Sequence, residues 1–179
     1  MSNLRVLIAG FGGQGVLFLG KVISNAGMLD DMYVSWLPSY GPEMRGGTAN
    51  CSVCVSETPI SSPLVPNPDV LIVMNNPSLE KFAADVKKGG IIISDSTIVT
   101  LKSGRNDIEE INIDATRLAE ENNVNSLSNM IILGILYAKN HFCSEEALFE
   151  AIKQCTPKRK AEMLELNNKA VKLGIEFKF

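Results

Sequence analysis

A chain of 179 residues, with 17 Lys and Arg against 20 Asp and Glu and a formal charge of −3, is long enough to bury one core and too short for two ordinary domains, so a single domain over 1–179 is expected. The acidic balance, with no long charge run, excludes a nucleic-acid platform, which needs a basic face. The longest apolar run of consequence, Met130 to Ala138, is about half of what a membrane span requires, and no signal-peptide pattern precedes the first core strand, so a cytoplasmic, non-membrane protein with reduced cysteines is expected.

The apolar stretch Leu4 to Ala9 reads as a strand and runs straight into Gly10-Phe11-Gly12-Gly13-Gln14-Gly15. A strand that ends in a glycine turn and opens a helix presents backbone N–H groups and a helix N-terminus to a phosphate. The glycines have separable tasks: Gly10 for a tight turn, Gly12 and Gly13 for close approach of a ligand, Gly15 for contact of helix on strand. Apolar residues from Gln14 to Met28 follow a 3.6 period, and the helix leads to a strand at Met32–Leu37, completing a β–α–β unit. A dinucleotide site needs an acid at the end of that second strand. Asp30 and Asp31 instead precede it, which disfavours a nicotinamide or flavin dinucleotide.

Ala49–Ser56 is a strand by alternation and β-branched content, and Pro59, Pro63, Pro66 and Pro68 exclude regular structure in the loop that follows. Val70–Met74 and Gly90–Asp95 read as buried parallel strands around a helix at Ser78–Lys87, and Glu110–Ile113 as a weaker strand. Asp114 is the expected N-cap of a short helix through Glu121. The last third reads as helices over Ser128–Asn140, Ser144–Gln154 and Pro157–Leu173, with Ser144 and Thr156 as caps, Pro157 at a first helical position and Gly174 as a C-terminal stop. The order implies an α/β, Rossmann-like three-layer sandwich with a mostly parallel sheet and a helical C-terminal third. The glycine turn and the Tyr40–Thr48 loop then share the carboxyl edge, where ligands bind.

Catalytic constellations are missing. The one histidine, His141, falls between two late helices and reads as structural or surface. Cys51 and Cys54 have CxxC spacing, but residues three apart on a strand point to opposite faces, so they read as core cysteines. Cys143 and Cys155 have no spacing partner for zinc or a cluster. The segment Tyr40-Gly41-Pro42-Glu43-Met44-Arg45-Gly46-Gly47 gathers an aromatic, a carboxylate and a guanidinium between glycines. Arg45 suits a phosphate or carboxylate; a structural Glu43–Arg45 pair or a subunit contact fits equally. Lys158-Arg159-Lys160 opens a helix where the dipole disfavours cations, so it meets an anion or is solvated.

GFGGQGV at Gly10–Val16 followed by PSYGPEMRGGTANCSVCVS at Pro38–Ser56 resembles the gamma subunit of 2-oxoacid:ferredoxin oxidoreductases and the corresponding domain of single-chain pyruvate:ferredoxin oxidoreductases. The likeness covers essentially the whole chain, including the late helix at Asn167–Gly174. It implies a multi-subunit enzyme that converts a 2-oxoacid, coenzyme A and oxidised ferredoxin to acyl-CoA, carbon dioxide and reduced ferredoxin. Thiamine diphosphate and iron–sulfur clusters are implied for partner subunits, and this sequence lacks both the Gly-Asp-Gly…Asn thiamine signature and a cluster-binding cysteine run. The resemblance further implies that the chain contributes coenzyme A binding and packs against thiamine-bearing alpha and beta subunits and a ferredoxin-like delta subunit. Gly10, Gly12, Gly13, Gln14 and Gly15 would meet the 3′-phospho-ADP part. Arg45 would add a charged contact, and Tyr40, Gly41, Glu43, Gly46 and Gly47 would shape the wall toward the partner. The isolated chain would be inactive and prone to form a homodimer through faces meant for partners. A short stand-alone chain suits the 2-oxoglutarate and branched-chain enzymes, with 2-oxoglutarate favoured. The rival readings are a free-standing nucleotide-binding Rossmann-type enzyme and a purely structural interaction subunit.

Overall fold

The computed structural model describes residues 3–40, 48–157 and 161–178. In chain order they form β1 (Leu4–Phe11), α1 (Val16–Leu29), β2 (Tyr33–Tyr40), β3 (Thr48–Ser56), β4 (Val70–Val73), α2 (Asn76–Phe82), a 3₁₀ turn (Ala83–Asp85), β5 (Ile91–Asp95), β6 (Glu109–Ile113), α3 (Ala115–Glu121), α4 (Ser128–Asn140), α5 (Glu145–Cys155) and α6 (Ala161–Ile175). Six strands make one sheet in the order β2-β3-β1-β4-β5-β6. The pairs β1–β4, β4–β5 and β5–β6 are parallel. β3 runs against both β1 and β2.

The expected β–α–β unit is thus modified. β2 runs the same way as β1 but lies one strand removed, because β3 returns as a hairpin and inserts between them. Local sequence could not decide this: the alternation in β3 suits an antiparallel neighbour as well as a parallel one. β1 and β4 are buried almost without interruption, as strands covered on both faces must be. On one face lie α1, α3, α4, α5 and α6 around a large core that includes Ile8, Leu19, Ile72, Ile131 and Phe142. On the other, Leu7, Leu71, Val73, Leu79, Ile92 and Val99 form a smaller core under α2. Arg105 closes the edge of that layer, clasping Asp107 through Nε and Nη2 (2.9 and 2.7 Å) while Nη1 donates to the carbonyls of Ala83 (3.0 Å) and Val86 (2.5 Å).

The helical third holds its place by one close crossing. α4 is buried from Asn129 through Tyr137, wedged between sheet and α6, and it meets α6 at two glycines. A Cβ on Gly134 would sit 2.1 Å from the Val171 carbonyl oxygen, and one on Gly174 would sit 2.0 Å from that of Ile131. Gly174 is therefore not the expected stop. It lies inside α6, where the missing side chain lets two backbones approach. Asp114 also departs from expectation: it stands at the N-cap position of α3 without capping it, because its carboxylate is engaged by Ser96 Oγ and by Arg117 (2.9 Å). Thr156 is the extended C-cap residue of α5. Ser144 caps α5 as expected, accepting from the Ala147 N–H at 3.2 Å, and it also donates Oγ to Asp30 Oδ1 at 2.8 Å, which ties α5 to the end of α1.

Candidate functional site

The two glycine-bearing motifs meet at the carboxyl edge. Gly10 and Phe11 pair with Ala49 and Thr48, and Tyr40 pairs with the same Ala49, so the end of β2 and the start of β3 lie beside the turn. Gly41, Glu43, Arg45, Gly46 and Gly47 themselves lie outside the described residues, as do Lys158, Arg159 and Lys160.

Gln14 braces the glycine turn. Its Oε1 accepts from the Phe11 N–H at 2.6 Å and its Nε2 donates to the Met74 carbonyl at 2.7 Å, which locks the turn to the end of β4. The side-chain amide is thereby spent on architecture, and what Gln14 can offer a ligand is backbone. Gly13 and Gly15 have φ of +96° and +77°, the left-handed region that side chains resist. Gly12 and Gly13 are exposed. α1 begins at a left-handed Gly15 with no side-chain cap, so the N–H groups of its first turn have no intrahelical acceptor and the positive end of the dipole faces outward. Two expected tasks change. Gly10 lies within β1, where a Cβ would come 2.7 Å from Gln14 Oε1 and 2.8 Å from Met74 Cβ; it serves packing under the brace rather than a tight turn. Gly15 makes room for α4 rather than for a strand, since a Cβ there would fall 2.2 Å from Asn129 Nδ2.

Behind the turn lies a cleft of about 430 Å³, bounded by Gly13–Gly15, Phe18, the start of α4, the end of α5 and α6. Three polar side chains of the helical third line it: Asn129, Thr156 and Asn167, only 7%, 8% and 4% exposed. Asn167 Nδ2 donates to Thr156 Oγ1 at 3.2 Å, and that hydroxyl donates to the Ile152 carbonyl at 2.7 Å. None of the described hydrogen bonds uses the Asn129 amide. The sequence carries a faint signal for these residues, an asparagine heading the apolar run Met130–Leu136 and another in an otherwise amphipathic helix.

At the end of β4, Asn75 is 2% exposed. Its Oδ1 accepts from the Ser78 N–H at 2.8 Å, while its Nδ2 and the Ser78 hydroxyl are buried without a partner. From β1 the chain crosses to β2 on one side of the sheet and from β4 to β5 on the other, so the switch point lies between the parallel strands β1 and β4, and the glycine turn and Asn75 flank the crevice where an open α/β sheet takes its ligand.

The other polar and sulfur residues stand apart. His141 closes α4 in the left-handed region and meets the Tyr137 ring edge-on at 5.2 Å. Cys51 and Cys54 are free and buried, with Cys51 in the large core on the α1 face and Cys54 beside Arg5 and Ser56. Burial pushes the Cys51 thiol up to about 11 and the Cys143 thiol up to about 12, the latter helped by the charge of Asp30. No group of three His, Cys, Asp or Glu that could hold a metal occurs among the described residues. No helix among them is long and apolar enough to cross a membrane.

A family model described as pyruvate ferredoxin/flavodoxin oxidoreductase matches residues 5–177. The ketoisovalerate oxidoreductase subunit VorA of Methanothermobacter thermautotrophicus is 39% identical over 98% of this chain and 36% of the relative, so the chain spans about a third of that relative's length. The 2-oxoglutarate synthase subunit KorC of Methanothermobacter marburgensis is 38% identical over 86% of each. Among solved structures, the gamma subunit of a keto/oxoacid ferredoxin oxidoreductase from Geobacter sulfurreducens shares 28% identity and a TM-score of 0.81, over 97% of this chain and 96% of that one. The 2-oxoglutarate:ferredoxin oxidoreductase of Magnetococcus marinus, solved with 2-oxoglutarate, coenzyme A and succinyl-CoA bound, shares the fold with a TM-score of 0.86 at 22% identity, over 99% of this chain and 32% of that one.

Proposed function

Because the chain belongs to the pyruvate ferredoxin/flavodoxin oxidoreductase family, we propose that it acts as the gamma component of a 2-oxoacid:ferredoxin oxidoreductase and holds coenzyme A for that reaction. The complex would oxidatively decarboxylate a 2-oxoacid, passing the acyl group to coenzyme A and the electrons to ferredoxin. The observation that carries the coenzyme A reading is the uncapped start of α1 behind two left-handed glycines, a donor array that favours phosphate. In this reading the 3′-phospho-ADP end meets Gly12, Gly13, Gly15 and the first turn of α1, with Arg45 as a charged partner. Tyr40, Gly41, Glu43, Gly46 and Gly47 face a partner subunit. Thiamine diphosphate and the iron–sulfur clusters belong to the alpha, beta and delta partners, and this chain's share is to bind the nucleotide and aim the pantetheine thiol outward.

Edge strand β2 supports a role in subunit contact, since Tyr33, Trp36 and Leu37 remain 51%, 39% and 36% exposed there. The oxoacid is 2-oxoglutarate or ketoisovalerate, the two named for the relatives above. The test is recovery of the chain from its own cells with its bound proteins, followed by coenzyme A-dependent dye reduction with each oxoacid. Partners with activity on one oxoacid support the reading; a chain recovered alone, without activity, refutes it. Gly12→Asp fills and charges the cradle, so it should abolish coenzyme A binding by calorimetry, and undiminished affinity would remove the turn from the site.

A further inference from the structure

The two edges of the sheet are finished differently. β6, at one edge, is five residues long and charged: Glu109 accepts from Lys139 Nζ at 2.6 Å and Glu110 from the Ser103 N–H at 3.2 Å. Short, charged edge strands keep a sheet from recruiting another strand. β2, at the other edge, runs for eight residues, Tyr-Val-Ser-Trp-Leu-Pro-Ser-Tyr, without a charge. Its outer side has no strand beside it among the described residues. Pro38 limits the stretch that can pair without a break to Tyr33–Leu37. Within that stretch Tyr33, Trp36 and Leu37 remain exposed, as do Met28 and Leu29 at the end of α1, 61% and 40%. Ser35 lies among them, and its Oγ has no hydrogen-bond partner.

We propose that β2 is the interface between two copies of this chain, which pair antiparallel about a two-fold axis at Ser35 and extend one sheet through both. The strand's own pattern fits that register. Residues 33, 35 and 37 share one face and 34 and 36 the other, so the axis sets Tyr33 against Leu37 of the second copy and Trp36 against Val34 of the second copy. Each exposed large side chain of the strand thus meets an apolar one, and aromatic–aliphatic pairs of this kind stabilise a sheet. The two Ser35 hydroxyls meet on the axis, where a turn about χ1 lets them bond to each other. A charged partner strand would find nothing on this edge to answer it, whereas a second copy brings the same uncharged surface, as an isologous contact requires. The five exposed side chains present about 500 Å² per copy, so two copies that cover the patch remove about 1,000 Å², the size at which specific interfaces begin. The inference stands apart from the coenzyme A reading.

Trp36 is the only tryptophan of the chain, so tryptophan emission reports on this edge alone. Sedimentation of the purified full chain from low to high micromolar concentration should show a monomer–dimer equilibrium. As the dimer forms, Trp36 emission should move to shorter wavelength and the amides of Tyr33–Leu37 should exchange more slowly. Ser35→Lys and Ser35→Glu each set like charges opposite one another on the axis and should weaken dimerisation at least roughly tenfold. Mixing the two variants sets opposite charges together and should restore pairing, which a merely loosened fold would not do. A chain that stays monomeric throughout, or a dimer that forms without the emission shift, overturns the proposal. So do folded variants that dimerise as the parent does, or whose mixture recovers nothing. If the variants fail to fold, emission and amide exchange of the unmodified chain decide alone.

Discussion

Replacing Gly134 with alanine sets two known effects against each other. Intrinsic helix propensity favours alanine over glycine in a helix interior by about 1 kcal/mol, so a helix considered alone predicts a stabilised protein. The packing predicts the reverse. The new Cβ would stand 2.1 Å from the Val171 carbonyl oxygen and 2.9 Å from the Gly174 Cα, and both are backbone atoms that no rotamer change can move aside. Restoring ordinary contact requires α6 to withdraw from α4 by about 1 Å, in an interior as dense as an organic crystal. Ala170 and Val171, each 0% exposed, would lose their seats against α4. Overpacking of this kind costs about 1–3 kcal/mol and more where backbone is involved, so with the propensity gain deducted the net loss is about 2 kcal/mol. For a chain of this size that lowers the melting temperature by about 4–8 °C, read by thermal scanning with denaturant titration as a check. Gly89→Ala is the control: it has φ of +76° and no neighbour within 4 Å of a Cβ, so only backbone strain is added. A Gly134→Ala protein that melts at or above the parent temperature would refute the crossing as the constraint on this glycine.

Gln14→Leu removes the brace and leaves the Phe11 N–H and the Met74 carbonyl unpaired, for a loss of about 2 kcal/mol. Gln14→Glu should not rescue it, since a carboxylate can still accept from Phe11 but sets negative charge against the Met74 carbonyl; equal melting temperatures for Glu and Gln would contradict the assignment. Asp30→Ala frees both the N–H and the hydroxyl of Ser144 and should cost about 1–2 kcal/mol, and Ser144→Ala in that background should cost about 1 kcal/mol more, because it also removes the cap on the Ala147 N–H. Cys51 and Cys143 should resist alkylation in the folded protein at neutral pH and react once it is unfolded. Folding holds these thiols protonated above their usual 9.0, so the folded state binds more protons than the unfolded one, and stability falls as pH rises past about 9. A melting temperature that is flat between pH 8 and 10, after allowing for other titrating groups with a Cys51→Ser, Cys143→Ser protein, would contradict that.

Local patterns reached a long way into this chain because buried strands and amphipathic helices announce themselves by what they exclude from water. The continuous apolar run of β4, the 3.6 period of α1, the serine that caps α5 and the glycine turn after β1 are each legible within a dozen residues. The motif pair around Gly10 and Tyr40 also pointed to the family. The register sets Thr48, where the second motif's strand begins, opposite Phe11 at the end of β1, while residues 41–47 of that motif lie outside the described residues.

Sequence by itself therefore determined the element order and the burial of Cys51 and Cys54 in β3, since each depends on periodicity or backbone chemistry that acts between near neighbours. Tertiary structure alone decided the rest. The insertion of β3 between β1 and β2 depends on which edge of β1 was free. Gly174 looks like a helix stop until α4 lies against it, and Gly15 looks like a strand contact until Asn129 fills the space. Asn129, Thr156 and Asn167 become neighbours of the glycine turn only when α4, α5 and α6 fold over α1. Contacts between residues more than a hundred positions apart leave no period in the sequence, because what selects them is the shape and polarity of a partner surface that exists only after the chain has folded.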